Sequence, residues 1–206
     1  MQLPRVYPII DLEVSCHPLE LVVAEFAAAG LSWVQWRDKK ANSRQLFAGA
    51  QRVVELARRH RLKAVVNDRA DIAWLSGADG VHVGQEDLPV EEAREIVGSD
   101  KIVGYSTHNL TQALEAAQSS ADYVAIGPIF ATASKVNPDP IVPWEELREI
   151  RIRVQKPLVA IGGITSQNAA PLFDIGIDSV AVIRDLVGTP DLRSKIHQFL
   201  RIAGAR

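Results

Sequence analysis

Cysteine is almost absent from these 206 residues, and Cys16 stands alone. No internal disulfide can form, and nothing points to an oxidising compartment. Only His17 lies near enough in sequence to lower the Cys16 pKa, so covalent catalysis through this thiol is not expected. Charge of one sign is lacking too: 23 Lys and Arg against 25 Asp and Glu leave a formal charge of −2. No basic field exists to attract nucleic acid or an anionic membrane, so any phosphate must be bound by a local site. No apolar run reaches membrane-spanning length. The opening MQLPRVYPIIDLEV also lacks the basic segment and long apolar run of a signal peptide, so the expected location is the cytoplasm. There is no low-complexity linker, and at 47% hydrophobic and 23% charged the composition suits one globular domain spanning 1–206.

What the chain does have is an alternation of short apolar runs with segments of helical period, repeated eight times. Strands are expected near Val6 to Ile10, Trp33 to Trp36, Lys63 to Val66, Gly80 to Val83, Ile102 to Tyr105, Tyr123 to Ile126, Leu158 to Ile161 and Ser179 to Ile183. Helices are expected over Leu19 to Ala29, Ser43 to His60 behind an Asn42 cap, and Ala70 to Leu75. One more runs from a Thr165 or Ser166 cap through Phe173 to a close at Gly176, and a last one is opened by Thr189 and Pro190. A weak repeat, SGADGVHV, SSADYVAI and IGIDSVAV, marks the passage from helix end into strand. Strands as apolar as VAIG and VAVI are buried on both faces, which means a parallel sheet covered by helices. Eight such units in this length predict an α/β fold, a (β/α)8 TIM barrel, with its active site on the loops at the C-terminal strand ends.

The polar clusters fall where that fold needs them. Asp68 follows the third strand and Gln85, Glu86 and Asp87 follow the fourth, so a β-α-β unit carries both acids to one edge. Two carboxylates there suit Mg²⁺, which binds through oxygen and often through substrate phosphates. Helix capping by Asp68 and a solvated acidic loop at Glu86 and Asp87 are the plainer alternative. Gln35, Arg37 and Lys39 alternate in VQWRDKK, so they point the same way while the chain stays extended. Arg37 can clamp phosphate oxygens bidentately and Lys39 adds a point charge, unless the loop is merely solvated. GPIFATASK offers two hydroxyls and Lys135 as an anion cradle, and the following VNPDPIVP is a candidate lid or a plain connector. IGGIT runs from a strand through two glycines to a helix start, which suits a phosphate but also fits a tight left-handed turn. There is no catalytic triad, since Ser106 and His108 sit too close on one strand end. His82 reads as a packed barrel residue, and His17, His60 and His197 as surface residues.

Together VQWRDK, VVNDRADIA, GADGVHVGQEDLP, GYSTHN, ADYVAIGPIFATASK, AIGGIT and IDSVAVI resemble, in order and over nearly the whole chain, the thiamine phosphate synthase family. The resemblance implies a Mg²⁺-dependent barrel transferase. It would join 4-amino-2-methyl-5-(diphosphooxymethyl)pyrimidine to a thiazole phosphate, giving thiamine phosphate and pyrophosphate. Pyrophosphate would leave first, and the thiazole nitrogen would capture the pyrimidine cation. By this match Gln35, Arg37, Lys39, Asn67 and Lys135 hold the pyrophosphate, and Asp68 and Asp87 ligate Mg²⁺. Ser106 meets the pyrimidine or its leaving group, while Thr132, Ser134, Gly163, Ile183 and Arg184 bind the thiazole phosphate. Arg37, Ser106 and Lys135 are then the catalytic set.

The match has three departures. Ser134 stands where threonine is common, Arg184 where serine is common, and VNPDPIVPWEEL lacks the glycine that usually precedes its helix. The nearest rival is the thiazole tautomerase on the same barrel, which would use His108 as acid and base and need no metal pair. A non-catalytic barrel that binds the precursors is a second rival. The partners implied are small molecules, and the oligomeric state does not follow from the sequence.

Overall fold

Period-two alternation along each strand sends one set of side chains into a barrel and the other set against a jacket of helices. The computed structural model describes residues 2–132 and 139–204. Among these residues, strands β1 (Val6–Asp11), β2 (Trp33–Arg37), β3 (Lys63–Asn67), β4 (Gly80–Val83), β5 (Ile102–Thr107), β6 (Tyr123–Ile126), β7 (Leu158–Ala160) and β8 (Ser179–Val182) pair in sequence order. All are parallel, and β8 returns to pair with β1, closing the (β/α)8 barrel the sequence predicts. The inward track carries Tyr7, Ile9, Trp33, Val65, Ile102, Tyr123, Ala125, Val159 and Ala181, which form one packed cluster. Tyr7, Trp33 and Tyr123 fill its centre edge to face, with ring centroids 5.8 to 6.3 Å apart. The outward track joins the helices in a second, larger cluster that includes Val34, Val66, Val103 and Val180.

The jacket helices form for local reasons. In α2 (Ser43–His60) Leu46, Ala50, Val53, Val54 and Ala57 are buried on one stripe. Asn42 and Gln45 cap each other's backbone N–H groups at 3.0 and 3.1 Å, the reciprocal arrangement of a capping box. Arg58, Arg59 and His60 stand at the negative end of the helix dipole. The remaining helices are α1 (Leu19–Ala28), α3 (Ala70–Ser76), α4 (Val90–Val97), α5 (Leu110–Gln118), α6 (Trp144–Arg153), α7 (Ala170–Asp174), α8 (Arg184–Val187) and α9 (Leu192–Gly204).

Several boundaries differ from the sequence expectation. Strands β1, β2, β3 and β5 run on to Asp11, Arg37, Asn67 and Thr107, because ladder bonding continues into the polar residues at the rim. Strands β7 and β8 stop at Ala160 and Val182. Helix α7 begins at Ala170 rather than after Thr165 or Ser166: Asn168 Oδ1 takes the Thr165 N–H at 2.7 Å and holds that stretch as a turn. Asp191, not Thr189, opens α9, accepting the Ser194 N–H at 3.1 Å. The short α8 has no counterpart in the sequence expectation. His17 is only half exposed and bonds the Thr189 carbonyl at 2.9 Å, whereas His60 and His197 are exposed as expected.

Candidate active site

The rim at the C-terminal strand ends gathers the polar residues. The inward track of β2 continues from Trp33 through Gln35 to Arg37. That of β3 ends at Asn67, and that of β5 passes Gly104 to Ser106. Gln35 lies deeper than expected. It is 2% exposed and donates through Nε2 to Tyr7 Oη at 3.2 Å, so it lines the floor of the site rather than its mouth. Arg37 sits at the rim and pairs with Asp11, whose carboxylate is 4% exposed and also accepts the Glu13 N–H. Asp11 is not among the residues that the sequence motifs single out. Its position directly after the apolar end of β1, like that of Asp68 after β3, was the available signal.

Lys39 lies beyond the end of β2, where the chain no longer alternates, and its Nζ crosses to Asp68 Oδ2 at 2.5 Å. Asp68 itself adopts φ +67, and its N–H bonds the His82 carbonyl at 2.7 Å. A left-handed aspartate is uncommon, and residues held in this way cluster at functional sites. Asp87 reaches back to accept the Gly84 N–H at 2.7 Å. Partial burial, and then the Asp68 carboxylate beside it, hold its carboxyl above the usual range. The two acids therefore face each other across one cleft of about 580 Å³, lined also by Arg69, Asp71 and Glu86. A facing pair of this kind fits a hard divalent cation. No cluster of three or more acidic, His or Cys ligands occurs among the described residues, so substrate oxygens or water would have to complete such a site. Asp68 does not cap α3 through its side chain.

Below the rim, His82 joins Ser106 to the barrel interior. Its Nε2 is 2.8 Å from Ser106 Oγ and its Nδ1 is 2.9 Å from Tyr123 Oη. Burial pushes its pKa down to about 4, so the ring is neutral at ordinary pH. His82 is 6% exposed and packed as expected, but it also touches a predicted site residue, which the sequence did not reveal. His108 is engaged on both sides: Nδ1 bonds the Gly127 carbonyl at 2.6 Å, and Nε2 lies 3.5 Å from Asp139 Oδ2.

On the opposite side, Gly162 and Gly163 take φ +96 and +63 and pack against the loop after β6. A Cβ on Gly163 would fall 2.3 Å from the Ala131 carbonyl oxygen. The turn and the close approach both require glycine here, and Asn168 Nδ2 holds the Gly163 carbonyl at 3.0 Å. Ile183 is half-buried just past β8, and Arg184 is exposed at the start of α8. Thr132 is half-buried, while Ser134 and Lys135, with the first part of the expected lid, lie outside the described residues.

The family model for thiamine monophosphate synthase matches residues 6–186. A thiamine-phosphate synthase of Koribacter versatilis is 45% identical over 98% of this chain and 97% of its own length. One from Chloroflexus aurantiacus is 41% identical over 94% and 90%. The solved thiamine phosphate pyrophosphorylase of Pyrococcus furiosus superposes with a TM-score of 0.86 at 34% identity, covering 98% of this chain and 96% of that one. With the family model spanning all eight strands and the barrel shared with a solved relative, the chain belongs to the thiamine monophosphate synthase family.

Proposed function

We propose that this chain, acting as one barrel domain, joins 4-amino-2-methyl-5-(diphosphooxymethyl)pyrimidine to a thiazole phosphate, forming thiamine phosphate and releasing pyrophosphate. The supporting observation is the meeting of Lys39, Asp68 and Asp87 at the rim, a cation and two neighbouring carboxylates, with Arg37 at the end of the adjoining strand β2. Enzymes of this family work on small molecules with a metal ion. Asp68 and Asp87 are the residues suited to hold it, with Mg²⁺ our assignment from their hard oxygen donors. Such an ion supplies neutralisation of the charge that grows on a departing pyrophosphate.

The chain's own groups do the rest. The methylene carbon–oxygen bond breaks with its electron pair leaving on pyrophosphate. The thiazole nitrogen lone pair then forms the new carbon–nitrogen bond, so no proton need be taken and no nucleophilic side chain is required. Arg37 and Lys39 neutralise the leaving group, joined on the sequence match by Asn67 and Lys135. Gln35, deeper at the floor, joins them on the same sequence match. Ser106 at the end of β5 contacts the pyrimidine substrate. Thr132, Ser134, Gly163, Ile183 and Arg184 hold the thiazole phosphate on the far side, so that the nitrogen meets the cation as it forms.

The tautomerase reading has less support, because both ring nitrogens of His108 already face protein oxygens. No helix among the described residues is long and apolar enough to cross a membrane, and a cytoplasmic location accords with the small phosphorylated substrates. Purified protein supplied with Mg²⁺ and both precursors should form thiamine phosphate and pyrophosphate together. Absence of product, with conversion of the thiazole precursor alone, would favour the tautomerase.

A further inference from the structure

A continuous chain of hydrogen bonds runs from the closed interior of the barrel to its rim. Gln35 Nε2 lies 3.2 Å from Tyr7 Oη, Tyr7 Oη 3.2 Å from Tyr123 Oη, and Tyr123 Oη 2.9 Å from His82 Nδ1. His82 Nε2 then lies 2.8 Å from Ser106 Oγ. The first four residues are buried, and half-buried Ser106 ends the chain at the rim. They come from β2, β1, β6, β4 and β5, so the chain exists only because the barrel closes. Gly104 makes room for it. A Cβ there would fall 2.1 Å from Tyr123 Cζ and 2.5 Å from His82 Nδ1, against the bond between them.

We infer that this chain is one-directional and holds Ser106 as a hydrogen-bond donor toward the pyrimidine substrate, with Gln35, Tyr7, Tyr123 and His82 as positioning residues. Each phenol has one proton, and a neutral imidazole has one N–H and one lone pair, so once Tyr7 donates to Tyr123 the direction passes on to Ser106. The Gln35 amide nitrogen can only donate. Tyr7 accepts from it and gives its own proton to Tyr123, and Tyr123 gives its proton to His82 Nδ1. The His82 proton is thus on Nε2, where it donates to Ser106 Oγ, and the serine proton points into the site. The opposite direction would make Tyr7 Oη accept from both Gln35 and Tyr123, taking Tyr123 away as acceptor for the Tyr7 proton, and it would spend the serine proton on His82. A half-buried hydroxyl fixed as a donor suits an acceptor atom on the substrate at no cost in reorientation.

The inference deepens the proposed function, because it rests on Ser106 meeting the pyrimidine. Its test begins on the resting protein without substrates, so a failed condensation assay and a failed chain are told apart. In ¹⁵N-histidine-labelled protein at neutral pH, long-range ¹H–¹⁵N correlation should show His82 as the Nε2–H tautomer. Tyr123→Phe removes the donor to Nδ1 and should mix the two tautomers. In turnover it should lower kcat about tenfold, the effect of one misdirected hydrogen bond, with the KM for the thiazole phosphate unchanged. Tyr7→Phe, one link further from the site, should act in the same direction. A wild-type Nδ1–H tautomer would overturn the inference. So would a Tyr123→Phe protein, folded by circular dichroism, that keeps both the wild-type tautomer and the wild-type kcat.

Discussion

The ammonium of Lys39 lies 2.5 Å from the carboxylate of Asp68, bridging the loops that follow β2 and β3. Both side chains are partly open to solvent, so screening limits what this pair adds to the stability of the fold. Its importance is positional. It ties the cation proposed to meet the pyrophosphate to one of the two acids proposed to hold the metal.

Asp68→Asn should therefore leave the barrel intact and remove most condensation. The expected fall in kcat/KM is on the order of a hundredfold, comparable to the loss of a metal-site or oxyanion partner. Chelation should abolish wild-type activity and added Mg²⁺ restore it. Matched circular dichroism and turnover measurements check both points. Full activity in excess chelator would remove the metal from the mechanism.

Asp11 is expected to act through Arg37. With side chains 4% and 15% exposed, the pair is sheltered, and Asp11→Ala would leave the guanidinium short of its buried carboxylate. A loss of stability of about 3 kcal/mol is expected, near the lower end for breaking a buried ion pair. A raised KM for the pyrophosphate substrate should accompany it. Chemical denaturation and steady-state kinetics test the two parts separately.

His82 should shape the acid limb of the stability curve. The unfolded chain binds a proton at this residue below about 6.5, the folded protein only below about 4, because burial disfavours the imidazolium. Between those values the unfolded state carries more protons, so stability falls as pH falls. The loss reaches about 3 kcal/mol below the folded value. His82→Gln should flatten this part of the curve relative to wild type, read from unfolding midpoints between pH 4 and 7. Parallel curves for the two proteins would refute it.

Gly163→Ala should be damaging at a distance from the acidic pair. The residue has φ +63, and the added methyl would meet the Ala131 carbonyl. A destabilisation of roughly 1–3 kcal/mol is expected from the strained backbone. A weakened affinity for the thiazole phosphate should appear alongside little change for the pyrimidine substrate. Calorimetry and the two separate KM values are the measurements.

Much of the site was legible because a barrel strand encodes its own orientation. Once the alternation in VQWR or IVGYST is seen, Gln35, Arg37 and Ser106 must share the inward face, and strand order puts their loops on one rim. Depth was harder to read. Gln35 and Arg37 are two residues apart, yet one is enclosed on the floor and the other sits at the rim, because the barrel mouth opens between them. The start of the helix after β7 is hidden from the sequence for a similar reason. Thr165 and Ser166 are good caps in isolation, but Asn168 takes up the Thr165 N–H and delays the helix to Ala170.

By itself the sequence determined the strand and helix periods, and with them the parallel barrel, the edge on which the polar loops gather and the family motifs. These are local or near-local properties, set by side-chain spacing and by the short crossovers between strands. The tertiary structure alone decided the left-handed turn at Asp68, the Asp11–Arg37 pair and the chain from Gln35 to Ser106. Tyr7 and Tyr123 meet across 116 residues of sequence. Only closure of the barrel, bringing the interior faces of β1 and β6 within hydrogen-bonding distance, makes those two phenols neighbours.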